Sequence, residues 1–177
     1  METELLVTQF QRGKREAFEG LVKLWERPLF YYLRRLAPSE ADAWDVLQET
    51  WLRVVRAMGT VRVPRTFPAF LYATARNVAV SRLRIRVEEG MRGGAEEVAD
   101  EGDAVVAFDD AEQVHHALDQ LPLAQREALT LYFLEDLSIE EMARVLDVPV
   151  GTVKSRLHYA KVALKRVILE GVGDGTR

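Results

Sequence analysis

Apolar residues recur at three- and four-residue steps through most of the first 86 positions. In 16–36 the series is Phe18, Leu21, Val22, Trp25, Leu29, Tyr32, Leu33 and Leu36, which predicts a helix with one buried face. Pro28 falls inside it and is expected to kink or split it, because proline lacks an N–H and its ring crowds the preceding turn. The next series, Ala43, Val46, Leu47, Thr50, Trp51, Val54, Val55 and Met58, predicts a second helix. Ser39 opens it, with Asp42 three residues on in a capping-box-like start, and Gly59 is expected to stop it. The stretch 59–68 holds two prolines and a glycine and predicts a loop. Thr66 is then expected to cap a helix over 67–86. That helix begins apolar and ends with Arg82, Arg84 and Arg86, which suits the negative end of a helix dipole. No segment alternates with period two, so strands are not expected.

The helical period returns beyond residue 110. "AEQVHHALDQL" leads to Pro122, and "LAQREALTLYFLED" (123–136) follows. Ser138 opens a short helix, "IEEMARVLD", with Glu141 at its third position, a capping box. The break at "DVP" is short, and Pro149 suits the first turn of the next helix. Two short helices joined by a tight turn, the second basic, form the helix-turn-helix pattern.

At about 100° per residue, Val153, Leu157, Ala160 and Leu164 share one face of that second helix. They are expected to pack on Met142, Ala143 and Leu146. The opposite face carries Gly151, Ser155, His158, Tyr159, Val162 and Arg166, flanked by Lys154, Lys161 and Lys165. A basic face is either solvated or a polyanion surface. The capped helix before it, the turn length and the absence of Asp or Glu from 148 to 169 point to duplex DNA. The N-terminal half of a recognition helix enters the major groove, so Ser155, His158 and Tyr159 are candidate base-edge contacts. Lys154, Arg156, Lys161 and Lys165 are candidate phosphate contacts, as is Thr152 with the first-turn N–H groups.

Charge divides the chain further. The whole carries 24 Lys and Arg against 28 Asp and Glu, net −4, yet residues 1–86 are net +6, 87–110 net −8 and 111–177 net −2. The middle stretch, "VEEGMRGGAEEVADEGDAVVAFDD", mixes glycine with like charges and favours an open chain. The expected fold is therefore all-α: two small helical domains, 1–86 and 111–177, joined by a flexible acidic linker, 87–110.

There is no cysteine, which excludes disulfides, thiolate metal sites and a cysteine nucleophile. The linker acids lack the ligand spacing of a Ca²⁺ loop. His115 and His116 adjoin each other and point to different faces. No metal, cofactor or catalytic residue is expected. A recombinase-like enzyme would need an activated serine, and neither Ser39 nor Ser81 has an identifiable base. "METELLVTQFQRG" does not read as a signal peptide, and no stretch suits a membrane span. A soluble, cytoplasmic protein is expected.

Two stretches carry a resemblance. "LPLAQREALTLYFLEDLSIEEMARVLDVPVGTVKSRLHYAKVAL", with the specific run "VPVGTVKSRL", resembles the fourth region of extracytoplasmic-function (ECF) sigma factors. "ADAWDVLQETWLRVV" is similar to that family's second region, where Asp45, Gln48 and Glu49 would face the polymerase. "FPAFLYATARNVAVSRLRIR" resembles the segment that reads the −10 promoter element, including its Arg-Asn pair, Arg76 and Asn77. The resemblance implies a bacterial transcription initiation factor that lends core RNA polymerase its promoter specificity. The first domain would dock on the clamp coiled coil of β′ and help open the −10 element. The second would hold the β flap and read the −35 element.

Arg62, Arg65 and Arg84, with Arg76 and Asn77, supply cations and an amide for an unstacked strand. An acidic chain of two domains on a tether also suits clamping by an anti-sigma factor. The −8 linker could mimic RNA in a basic channel. Phe70, Ser81 and Tyr159 depart from the family's usual Trp, Asp and Arg, and Tyr159 bears on −35 preference. A helix-turn-helix regulator acting without core polymerase is the alternative; it explains 137–170 but not the second-region resemblance.

Overall fold

The computed structural model describes residues 1–90, 117–133 and 136–174, and every regular element among them is helical. The chain divides into two compact units, Met1–Glu96 with Arg144–Asp147 and Glu97–Ala143 with Val148–Arg177. In the first unit α1 (Glu2–Gln11), α2 (Glu16–Arg34), α3 (Glu40–Ala57) and α4 (Phe67–Gly90) each pack on the next. Gly13 turns the chain between α1 and α2 with φ +92°. Gly20 lets the two helices lie close, because a Cβ there would stand 2.9 Å from Leu6 Cδ2. The core is built on the predicted apolar faces of α2 and α3, with Leu21, Leu29, Tyr32, Leu33 and Leu47 fully buried, and on Phe67, Leu71 and Tyr72 of α4, which are fully buried too. Tyr72 meets Tyr32 edge-on at 5.2 Å and Trp25 at 6.2 Å.

Pro28 does not split α2. The missing backbone bond costs about 3 kcal/mol or more. Leu21, Leu29, Tyr32 and Leu33 are buried on both sides of it, and each such side chain contributes about 1.5–3 kcal/mol. Packing therefore outweighs the local cost. At the start of α3 the Ser39 hydroxyl oxygen accepts from the Asp42 N–H at 3.1 Å and donates to Asp42 Oδ2 at 2.6 Å, so the expected cap forms. The apolar face of α3 is buried as expected, except for half-buried Val55.

The connection from α3 to α4 differs from expectation in three details. Helix α3 ends at Ala57, next to the expected stop at Gly59, but it does so through a 3₁₀ turn, Met58–Thr60, anchored by buried Met58, and not through a left-handed glycine. The Thr66 hydroxyl donates to the Val63 carbonyl at 2.8 Å, tightening a second 3₁₀ turn, Pro64–Thr66. Helix α4 also runs past 86, because no breaker precedes Gly90.

In the second unit a helical turn at 117–119 precedes α5 (Leu123–Phe133), the first part of α6 (Ile139–Leu146) and α7 (Val150–Asp174). Arg126 Nη2 donates to the carbonyls of Asp119, at 2.7 Å, and Leu121, at 3.2 Å, tying that turn to α5. Helix α5 packs on α7. Asp136 (φ +50°) and Asp147 (φ +52°) take left-handed conformations just before α6 and α7; aspartate tolerates that region better than most residues. Pro149 lies one residue ahead of α7 rather than in its first turn. Its carbonyl accepts from the N–H groups of Thr152, at 2.9 Å, and Val153, at 3.2 Å. The expected linker beyond residue 90, together with His115 and His116, lies outside the described residues.

Candidate nucleic-acid interface

The capping box that sets up α6 is reciprocal. The Ser138 N–H donates to Glu141 Oε2 at 2.9 Å, and the Glu141 N–H donates to Ser138 Oγ at 3.2 Å. Met142, Val145 and Leu146 are buried from α6, as are Val153, Leu157 and Ala160 from α7, while Leu164 is half-buried. The burial of Val153, Leu157 and Ala160, on a helix that packs against α5, sets which face of α7 is exposed. Gly151, Ser155, His158, Tyr159, Val162 and Arg166 are all exposed, and so are Lys154, Lys161 and Lys165. Tyr159, 63% exposed, meets the His158 ring edge-on at 5.4 Å. The Ser155 hydroxyl donates to the Thr152 carbonyl at 3.0 Å. Thr152 and Arg156 are half-buried at the margin of this face.

Lys161 was not legible as an aromatic partner. Its Nζ sits 4.8 Å from the Tyr132 ring centroid and 5.3 Å from that of Phe133, both on α5, a cation–π arrangement. Among the described residues, Lys154, Lys161 and Lys165 have no carboxylate partner.

In the first unit Asn77 and Arg84, seven residues apart, share an exposed face of α4, while Arg76 is half-buried. Arg62 and Arg65 are exposed on the connection before α4. Gln11, which drew no notice in the sequence, fixes the start of that connection. Its Nε2 donates to the carbonyls of Met58, at 3.0 Å, and Val61, at 2.8 Å.

The acidic rim of α3 is not bare. Arg82 of α4 places Nη1 3.2 Å from Asp45 Oδ2 and Nε 3.1 Å from Glu49 Oε2. Arg53 pairs with the other oxygen of Glu49, and Arg86 reaches Asp42 Oδ2 at 2.8 Å. Arg82 and Arg86 thus face α3 instead of completing the end of α4, which continues beyond them. Burial pushes the Glu49 carboxyl up, but hydrogen bonds from Arg82 and Arg53 outweigh it and hold the group below its ordinary value. The Ser39 hydroxyl and Arg86 likewise hold Asp42 low against burial. Gln48 lies exposed between Trp44 and Leu52, one turn away on either side and also exposed. Trp44 stacks on Phe30 at 4.1 Å.

Residues 21–87 match the family described as Sigma-70 region 2, and residues 111–164 match Sigma-70, region 4. The RNA polymerase sigma-H factor of Pseudomonas aeruginosa is 32% identical, over 94% of this chain and 94% of its own. The ECF RNA polymerase sigma-E factor of Escherichia coli (strain K12) is 32% identical, over 91% of each chain. This chain belongs to the ECF sigma factors. The ECF sigma factor SigW of Bacillus subtilis is similar at 26% identity, over 90% of this chain and 93% of its own. The sigma factor RpoE from Bartonella quintana, solved in complex with the anti-sigma factor NepR, superposes with a TM-score of 0.74 at 25% identity, covering 85% of this chain and 96% of that one.

As an ECF sigma factor the chain is a transcription initiation factor that acts with RNA polymerase on promoter DNA. The region 2 match spans most of α2, all of α3 and most of α4; the region 4 match spans α5, α6 and most of α7. A regulator acting without polymerase leaves the region 2 match unaccounted for. Among the described residues no three His, Asp or Glu side chains gather into a metal site, and no helix is long and apolar enough to cross a membrane.

Proposed function

We propose a division of labour by residue and by segment. Residues 1–86 form the polymerase- and −10-binding domain, 87–110 a flexible acidic linker, and 111–177 the −35-binding domain. Asp45, Gln48 and Glu49 on α3 meet the β′ clamp coiled coil. Arg62, Arg65, Arg76, Asn77 and Arg84 hold the −10 strand. Thr152, Lys154, Ser155, Arg156, His158, Tyr159, Lys161 and Lys165 serve the −35 duplex while the domain rests on the β flap. The observation that carries the reading is the face of α7: three exposed lysines with no carboxylate partner among the described residues, on a helix that follows a capped one.

The factor works in the cytoplasm, where polymerase is, and without catalytic chemistry of its own. An anti-sigma factor regulates it by covering the polymerase surfaces. The similarity to RpoE, whose solved structure includes NepR, supports that expectation.

The test is in vitro transcription with purified core polymerase and a promoter library. The factor should select templates sharing one −35 and one −10 motif. Transcription no different from core alone would reject the reading. The companion variant is Asp45→Asn with Glu49→Gln, which should weaken co-purification with core. Amides are the right choice, because lysines at these positions would be set against Arg82 and Arg53 and would disturb packing as well as docking.

A further inference from the structure

Two of the three residues assigned to polymerase docking are already engaged within the free protein. Glu49 has both carboxylate oxygens occupied, Oε1 by Arg53 and Oε2 by Arg82. Asp45 receives Arg82 through Oδ2 alone, and its side chain is 63% exposed. Asp45, Glu49, Arg53 and Arg82 together carry no net charge. A cation approaching this rim from outside therefore meets a neutral cluster, and its attraction stays weak unless one arginine leaves.

Arg82 is the member placed to leave. It comes from a different helix, it binds both carboxylates of the rim, and its side chain is 41% exposed. Arg53 lies on the same helix as Glu49 at i,i+4, so it stays next to that carboxylate even when the pair opens.

We propose that Arg82 is a built-in occupant of the polymerase-facing carboxylates, holding Asp45 and Glu49 in the free protein and displaced by basic side chains of core polymerase on docking. The inference rests on the reading of α3 as the docking face. Entry begins at the open side of Asp45 and ends with transfer of the Arg82 half of Glu49. Exposed ion pairs are worth only about 1.5- to fivefold in an equilibrium, so an arginine fork presented in a drying interface can outcompete them. A surface that lacks such cations gains nothing at this rim, because Arg82 stays in place. The occupant thus makes docking selective for a basic partner.

The experiment titrates the full-length protein with core polymerase at low and at high ionic strength. It compares wild type, Arg82→Gln, Arg86→Gln and Asp45→Asn/Glu49→Gln, with a thermal melt of each. Arg82→Gln should bind core roughly two- to fivefold more tightly at low ionic strength, and the gain should shrink with salt. Its melting temperature should fall slightly, so affinity and stability move in opposite directions. A merely structural arginine would lower both.

Arg86→Gln uncovers Asp42, a neighbouring α3 carboxylate that is not assigned to docking, and should raise core affinity by less than Arg82→Gln does. In the Asp45→Asn/Glu49→Gln background the gain from Arg82→Gln should vanish. If Arg82→Gln melts too low to assay, Arg82→Lys keeps the charge without the fork and should still bind more tightly than wild type, by less. Equal or weaker core binding by the Arg82 variants overturns the proposal while leaving the docking face intact. Unweakened core binding by Asp45→Asn/Glu49→Gln removes the docking face, and this proposal with it.

Discussion

Helices α3 and α7 both carry charge to the surface, and they treat it in opposite ways. On α3, Asp42, Asp45 and Glu49 are each met by an arginine of α4 or of α3 itself. On α7, Lys154, Lys161 and Lys165 have no carboxylate partner among the described residues, and Lys161 leans on aromatic rings instead. A compensated face costs little to keep in water and binds only what can exchange with its internal partners. An uncompensated cationic face attracts any polyanion at long range, releases counterions on binding and leaves specificity to the few side chains at its centre. The first is suited to a defined protein partner, the second to finding DNA and then reading it.

The sharpest way to break this contrast is to give α7 the character of α3. Ser155 sits exposed in the middle of the reading face, beside Lys154. Ser155→Glu would set a carboxylate where phosphates and base edges must come. Like-charge juxtaposition at an interface costs several kcal/mol, so promoter affinity should fall at least about tenfold in a mobility-shift or anisotropy titration. Exposed substitutions stay within about 0.5 kcal/mol, so the fold should hold. An extra acid on α3, Gln48→Glu, should leave promoter affinity alone. Equal effects of the two changes would mean that α7 is not the reading helix.

The two faces were not equally legible in the sequence. The orientation of α7 follows from local signals: the capping box at Ser138 and Glu141 and the spacing of Val153, Leu157 and Ala160 are contained in about twenty residues. The Ser39 cap of α3 was legible for the same reason. The pairing of Asp45 and Glu49 with Arg82 was not. These residues lie 37 and 33 positions apart, and their meeting depends on how α4 rotates against α3. Arg82 and Arg86 were read instead as dipole partners at the end of α4, a reading that failed because the helix continues. At Pro28 a local rule predicted a kink or a split, and the split did not occur, because tertiary burial of its neighbours outweighs the lost bond. Gln11 and the aromatic contact of Lys161 left no sequence signal, since each depends on a group brought near only by packing.

A middle-sized effect separates positioning from readout on α7. By the resemblance Tyr159 stands where the family usually has arginine, and at 63% it is as exposed as any large hydrophobic side chain described on the helix. Arginine can grip guanine with two hydrogen bonds, worth about 1–3 kcal/mol of discrimination; tyrosine offers one hydroxyl and an aromatic edge. Tyr159→Arg should therefore change the selected −35 base at one or two positions and tighten binding overall. Lys154→Ala should instead weaken all sequences alike and flatten the salt dependence by roughly one unit of slope. Selection from randomised −35 duplexes checks both. Identical motifs from wild type and Tyr159→Arg would show that Tyr159 does not meet the groove.

The smallest effect belongs to α3 and appears only in acid. Glu49 and Asp42 are held below their ordinary values of 4.5 and 3.8. A carboxyl whose folded-state value is depressed binds protons more readily when unfolded, so its stabilising share is complete above the ordinary value and is lost as pH falls through it toward the folded value. The first unit should thus lose stability as pH falls below about 4.5 at Glu49 and 3.8 at Asp42, with Arg82 carrying part of the response at Glu49 and Arg86, after the Ser39 hydroxyl, part of it at Asp42. Both carboxylates are about one-third exposed, so solvent screens the pairs and the share is modest. Melts across this range should show the wild type losing about 1–3 °C more than the Arg82→Gln/Arg86→Gln variant. Parallel curves would mean that the arginines do not govern the acid response of α3. A larger loss in the variant would mean that Asp42 and Glu49 depend mainly on other partners, the Ser39 hydroxyl and Arg53 first among them.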